Sequence, residues 1–84
     1  MTKIIREWSE GSVSIAVEAG KDDMNREGIH VHVYKRGRRT GSRIPGKNRD
    51  LDNKDFDMAK DLCYRHISEI ETLCDDVRDG KYDD

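Results

Sequence analysis

Apolar and polar residues alternate in the first half of the chain with the period of a β-strand. In residues 13–18 Val13, Ile15 and Val17 occupy every second position, the pattern of a strand with one buried face. Residues 29–35 alternate in the same way. Strands are predicted at 3–8, 13–19, 29–35 and 39–44. A polar loop is predicted at 20–28, and the tip of the last hairpin at 36–38. The last strand is predicted to lie at an edge of the sheet and to end before Pro45.

In the second half the apolar residues recur with the period of a helix. From Phe56 to Val77 they fall, except for Met58 and Tyr64, within a sector of about 140° when successive residues are placed about 100° apart. Asp52 or Asn53 can cap the first turn, and Gly80 suits the position just past the last turn. The pattern predicts one amphipathic helix over 53–79, with its apolar stripe on the Val/Ile face of the sheet.

The length of this helix raises a question of fit. A single helix over 53–79 would span about 40 Å, whereas strands of six or seven residues span about 20–23 Å. Either the helix is broken, or its overhang packs on another chain. The second alternative predicts a homodimer or a complex with a small protein partner.

These patterns predict an α+β fold, in which a small antiparallel sheet of about four strands is packed on one face by a long C-terminal helix. The 84 residues are predicted to form a single domain with a thin core. Within it, 1–49 form the sheet with a basic hairpin, and 50–84 form the amphipathic helix and an acidic tail. No segment approaches the roughly 20 apolar residues of a membrane span, and the N-terminus lacks the apolar region of a signal peptide. We therefore expect a cytoplasmic protein without a membrane partner.

Both cysteines, Cys63 and Cys74, lie in the predicted helix. Eleven residues correspond to about 16 Å in a straight helix, which is too far for a disulfide. We expect buried apolar thiols, with an intermolecular or metal-binding role as the alternative.

Charge is distributed unevenly along the chain. Residues 35–49 contain seven basic and no acidic residues, whereas 50–84 contain twelve acidic and five basic residues. The basic residues are Lys35, Arg36, Arg38, Arg39, Arg43, Lys47 and Arg49. Such a hairpin can bind the phosphates of RNA or DNA. The alternative is that it pairs with the acidic helix of the same chain or of a second copy.

The histidines fall on two different faces. His30, His32 and Tyr34 share one face of their predicted strand, opposite the valines that must meet the helix. His66 lies in the helix stripe and is expected to be a hydrogen-bonded core residue. Because the sheet would separate His66 from the other two, we expect neither a three-histidine metal site nor a cofactor. The face with His30 and His32 is either a half-exposed polar surface or a contact surface for a ligand, a partner or unpaired bases.

Recognised catalytic motifs are absent from the sequence, which contains no P-loop, GxGxxG, CxxC or GxSxG pattern. General acid–base chemistry by His30 and His32 with Tyr34 would suit a small ribonuclease-like toxin. A further alternative is an inhibitor of a nucleic-acid enzyme, whose acidic helix mimics a phosphate backbone.

The run GIHVHVY at 28–34, the glycine-containing hairpin and the helix that carries Ala59-Lys60, His66 and Glu69-Ile70 resemble a family of small bacterial proteins, domain-of-unknown-function family 4160. The segment from His30 to Val33 fits its His-x-His-Val element, although Gly28-Ile29 stands where the family tends to have prolines. The resemblance implies a short strand pair, this strand and a closing helix. It also implies toxin–antitoxin-like pairing with a second small protein, and no established activity.

The function favoured by the sequence is a non-enzymatic binding module in a small bacterial or phage protein–protein or protein–nucleic-acid assembly. The contact residues predicted for it are the outward-facing residues of the third strand and the basic residues around the hairpin. They are His30, His32, Tyr34, Lys35, Arg36, Arg38, Arg39 and Arg43.

Overall fold

The computed structural model describes residues 3–82. The elements follow in the order β1 (Ile4–Glu10), β2 (Val13–Glu18), α1 (Lys21–Glu27), β3 (Val31–Lys35), β4 (Arg38–Ile44), α2 (Asn53–Arg65) and α3 (Ile67–Arg78). The four strands form one antiparallel sheet in the order β1-β2-β3-β4, in which β1 and β4 are the edges. The α+β fold, the four strands and the edge position of β4 are therefore confirmed.

The aliphatic face of the sheet packs against α2 and α3. Trp8 of β1 is paired with Ile15 of β2, and Ile15 with Val33 of β3, so these three side chains lie on one face. They belong to a core that also contains the buried apolar residues of the two C-terminal helices. His32 is paired instead with Ala16, on the opposite face. The facing predicted from the alternation is confirmed.

The predicted single helix is interrupted at His66, whose backbone dihedrals (φ −118°, ψ 22°) are not helical. The 13 residues of α2 correspond to about 20 Å, which matches the strands beneath it. α3 then packs against α1 and β2. Of the two alternatives for the overhang, the structure adopts the broken helix, so helix length no longer argues for a second chain.

His66 itself is half-buried rather than a hydrogen-bonded core residue. Its ring stacks on the indole of Trp8, with ring centroids 5.5 Å apart. Because Trp8 lies on the aliphatic face, His66 is separated by the sheet from His32, as the alternation predicts.

The segment 20–28 was predicted to be a loop, and the structure contains α1 there instead. Its C-cap is Gly28 at φ 78°, a left-handed conformation that suits glycine. Met24 is the one buried residue of this helix. A single apolar side chain produces no helical periodicity, which is why the pattern missed the element.

Cys63 and Cys74 are free and buried, as predicted. Burial raises the pKa of the Cys63 thiol and raises that of Cys74 to about 11. The distance argument made from a straight helix does not apply, because the interruption at His66 lies between the two cysteines. Within residues 3–82, no helix has the length and apolar character needed to cross a membrane.

Candidate functional site

Two features of the structure are candidate sites, and the first of them lies on the face of the sheet opposite α2 and α3. The first is a histidine–carboxylate cluster, formed by Glu18, Asp23, His30 and His32. Glu18 ends β2, Asp23 lies in the first turn of α1, His30 precedes β3 and His32 lies within it. Because α1 connects β2 to β3, it brings Asp23 against the two imidazoles.

His30 is fixed through both ring nitrogens. Its Nδ1 lies 2.8 Å from the carbonyl oxygen of Gly28, and because a carbonyl only accepts, Nδ1 carries a proton. Its Nε2 lies 3.0 Å from Asp23 Oδ2. Although burial alone would raise the pKa of Asp23, the nearby His30 and Arg43 lower it below the usual value.

His32 approaches the same carboxylate. Its Nε2 lies 3.4 Å from Asp23 Oδ2 and 3.3 Å from His30 Nε2. Nη2 of Arg39 lies 2.9 Å from His32 Nδ1 and 3.3 Å from His32 Nε2, so the guanidinium group contacts both nitrogens of the ring. Burial is the main cause that lowers the pKa of His32, and the positive charge of Arg39 adds to it, against an opposing effect of Glu18.

Glu18 is tied to its neighbours through both carboxylate oxygens. Oε2 accepts a hydrogen bond of 2.7 Å from the hydroxyl of Tyr34, and Oε1 lies 3.3 Å from Arg39 Nη2 and 3.7 Å from His32 Nε2. Burial and the Glu18 carboxylate raise the pKa of Tyr34 to about 12. Tyr34 is therefore held as a neutral hydrogen-bond donor.

The outer face is less open than the sequence analysis expected. His30 and His32 are each 3% exposed, because α1 and the side chains of Glu18 and Arg39 cover them. The carboxylates of Glu18 and Asp23 were not predicted as site residues. The strand period could have identified Glu18, which shares its face with Ala16 and His32, but Asp23 is placed by the unpredicted helix.

The second feature is the basic segment 35–49. Three of its cations pair with acidic residues. Lys35 Nζ lies 2.5 Å from Asp55 Oδ2 on α2, and Arg43 Nη1 lies 2.8 Å from Glu27 Oε1 on α1. Arg39 pairs with Glu18. The alternative that the hairpin pairs with the protein's own acidic helix therefore holds for Lys35, whereas Arg39 and Arg43 pair with acidic residues of β2 and α1.

The other four cations form what we call the basic edge: Arg36, Arg38, Lys47 and Arg49. All four side chains belong to exposed residues, and none has an ion-pair partner within residues 3–82. Lys47 and Arg49 were not among the predicted contact residues, although they lie in the same basic run. Both residues come after Pro45, where the last strand was predicted to end, so the hairpin predicted from the sequence did not include them.

The fold positions the basic edge by two turns. Residues 36 and 37 connect β3 to β4 with φ of 53° and 78°, as in a type I′ hairpin turn. After β4 the chain returns over its outer edge, where Asp50 accepts a hydrogen bond from the backbone N–H of Gly41. This return places Arg49 beside the middle of β4.

Ser42 anchors the returning loop. Its hydroxyl donates to Asn48 Oδ1 at 3.0 Å and accepts from the backbone N–H of Arg49 at 3.0 Å. Ser42 is 0% exposed, so both bonds are shielded from water. A cleft of about 420 Å³ lies between this loop and α1, and its walls include Arg43, Lys47 and Arg49 as well as Glu27.

No protein-family model, no curated protein and no solved structure matches this chain. The likeness to domain-of-unknown-function family 4160 stays a prediction, and so does the pairing with a second small protein that it implies. The geometry of the two features is therefore the basis for a function.

Proposed function

We propose that this protein is a non-enzymatic binding module that binds the phosphate backbone of a nucleic acid through its basic edge. The observation that carries the proposal is the separation of the seven basic residues into two groups. Lys35, Arg39 and Arg43 pair with acidic residues of the same chain. The four residues of the basic edge have no such partner among residues 3–82.

Geometry supports an extended polyanion as the ligand. The basic edge runs from the hairpin tip to the loop beside the middle of β4, and a strand of seven residues spans about 23 Å. A nucleic-acid backbone places several phosphates within that length. Because guanidinium groups can donate two hydrogen bonds to one phosphate, Arg36, Arg38 and Arg49 suit this ligand.

The acidic residues determine the orientation of binding. Those of residues 50–84 are concentrated on α2 and α3, which pack on the opposite face of the sheet from His32 and Tyr34. A polyanion approaching the helices would be repelled. The β4 edge is therefore the side from which a backbone can approach.

Base recognition has little support, so we expect weak dependence on sequence. His30 and His32, the predicted stacking residues, are each 3% exposed, and the hydroxyl of Tyr34 is bonded to Glu18. Phosphate contacts without base contacts position a ligand but do not discriminate sequences. The same burial weakens the ribonuclease-like alternative, since neither imidazole is open to a substrate.

The proposal is tested by fluorescence anisotropy with labelled single-stranded RNA, duplex RNA and duplex DNA. A variant with the basic edge changed to glutamine (Arg36→Gln, Arg38→Gln, Lys47→Gln and Arg49→Gln) should lose binding to all probes. A matched variant removes four cations from the helices and the C-terminal turn instead (Lys54→Gln, Lys60→Gln, Arg78→Gln and Lys81→Gln).

The matched variant has the same net charge and should keep its affinity. Equal affinity of the wild-type protein and the basic-edge variant would contradict the proposal. Cleavage of the RNA probe, lost in a His30→Ala/His32→Ala variant, would favour the nuclease alternative. Binding to a basic protein but not to nucleic acid would favour the acidic inhibitor.

A further inference from the structure

We infer that Asp23, His30 and His32 form a binding site for a divalent transition-metal ion, with Zn²⁺ as the ion that fits best. The three donor atoms are Asp23 Oδ2, His30 Nε2 and His32 Nε2, and all of them lie within 4.8 Å of one another. This site is independent of the basic edge, which shares none of its residues.

The distances between the donor atoms match those around a bound ion. The triangle has edges of 3.0 Å, 3.3 Å and 3.4 Å. Ligand atoms bound tetrahedrally at roughly 2.0–2.1 Å from Zn²⁺ lie about 3.3–3.4 Å from one another. An ion in front of the triangle can therefore reach all three donors with small side-chain adjustments.

The hydrogen bond at Nδ1 of His30 orients its ring in the way that is common for histidines that bind a metal ion. Its Nδ1–H donates to the carbonyl oxygen of Gly28 at 2.8 Å, so Nε2, which faces Asp23 and His32, is the nitrogen left to bind an ion. Ligating histidines commonly hold their second nitrogen in this way, which fixes the tautomer and the ring orientation.

The two arginines near Asp23 lie on its other carboxylate oxygen. Arg26 and Arg43 each lie 3.8 Å from Asp23 Oδ1, so Oδ2 is left facing the two imidazoles. Arg43 has its shorter contact with Glu27. The carboxylate oxygen that meets His30 and His32 is therefore available to a cation.

His32 must exchange one hydrogen bond for the ion. Nη2 of Arg39 lies 2.9 Å from Nδ1 and 3.3 Å from Nε2, the nitrogen that the ion would take. When the ion binds Nε2, the ring proton is on Nδ1 and Arg39 moves fully onto Glu18. The Arg39 guanidinium already lies 3.3 Å from Glu18 Oε1, so the movement is small.

Asp23 also lies on the side of the site that is exposed to solvent. Its side chain is 30% exposed, whereas those of His30 and His32 are 3% exposed. Water can therefore complete the coordination from this side, as in zinc sites with three protein ligands. A bound ion would link α1 to β3.

The test uses the full-length protein, freed of metal with a chelator and titrated with Co²⁺ and then Zn²⁺. The structure predicts one equivalent of Co²⁺ bound, with the visible ligand-field bands of a low-coordinate nitrogen and oxygen site, displaced by Zn²⁺. Zinc should also raise the melting temperature and slow hydrogen exchange in α1.

Matched variants decide whether the ion occupies this site. Asp23→Asn and His32→Gln should weaken Zn²⁺ binding at least tenfold, whereas Asp22→Asn, on the same turn, and His66→Gln should leave it unchanged. Because Asp23 is partly exposed on a short helix, Asp23→Asn decides the matter if His32→Gln does not fold. Failure of the wild-type protein to bind either ion, or unchanged binding by Asp23→Asn, would overturn the inference.

Discussion

The indole ring of Trp8 stacks on the imidazole ring of His66, with ring centroids 5.5 Å apart and ring planes inclined by 21°. Arg6 lies over the same indole, 5.5 Å from its centroid. His66 is the residue between α2 and α3. The stack therefore holds the interruption of the helix against the β1 edge of the sheet.

Changing His66 to Ala should lower the free energy of unfolding by about 0.5–1.5 kcal/mol, the range measured for aromatic pairs. Trp8, the one tryptophan of the chain, should show red-shifted emission in the native state because its 8% exposure would increase. Urea denaturation followed by fluorescence measures both quantities. His66→Phe keeps a stacking ring and should retain most of the stability. Wild-type stability and emission in His66→Ala would show that the stack contributes nothing.

Much of the fold could be predicted because the strands follow a simple period. The alternation at 13–18 and 29–35 predicts the sheet and which of its side chains face the helices. The break at His66 could not be predicted in this way, since the apolar stripe continues in phase on both sides of it. The position at which such a helix breaks depends on the length of the sheet beneath it, which is a property of the whole molecule.

The candidate sites were predicted only in part for a related reason. The strand period identified His30 and His32 as neighbours on one face, but it gave no sign of what covers them. Asp23 reaches them because α1 forms, and α1 has a single buried apolar residue, Met24. The charge run at 35–49 was evident, yet its division into paired and unpaired cations depends on tertiary contacts.

Arg36 has a left-handed backbone conformation, with φ of 53°, which costs a non-glycine residue about 1–2 kcal/mol. Asparagine is favoured at this position of a type I′ turn. Arg36→Asn should therefore raise the free energy of unfolding by about 1 kcal/mol and at the same time weaken RNA binding. Urea denaturation and anisotropy measure the two effects.

Arg38→Asn is the control for this change, because it removes a neighbouring charge at a strand position without relieving strain. It should weaken binding but not stabilise the protein. If Arg36→Asn proves no more stable than Arg38→Asn, the turn conformation has no energetic cost and this prediction is wrong.

Ser42 offers a test of how the fold positions Lys47 and Arg49. Ser42→Ala leaves the backbone N–H of Arg49 without a partner, which should cost about 1–3 kcal/mol of stability. It also removes the hydroxyl that donates to Asn48 Oδ1, which keeps its bond from the N–H of Leu51. The loop that holds the two cations should also exchange its amide hydrogens faster, and RNA affinity should fall. Hydrogen exchange and anisotropy measure these effects. The exposed Ser68→Ala is the matched control; equal loop protection in both variants would rule out Ser42 as the anchor.

The dependence of nucleic-acid affinity on salt tests the central claim most directly. Each phosphate neutralised contributes about −0.9 to the slope of log Kobs against log salt for duplex DNA and about −0.7 for single strands. With four contacts the wild-type protein should give a slope of about −3.6 with duplex DNA and about −2.8 with single strands. Arg38→Ala and Arg49→Ala should each reduce its magnitude by about one. A slope near zero, or a slope that neither substitution changes, would contradict the assignment of the basic edge as the binding surface.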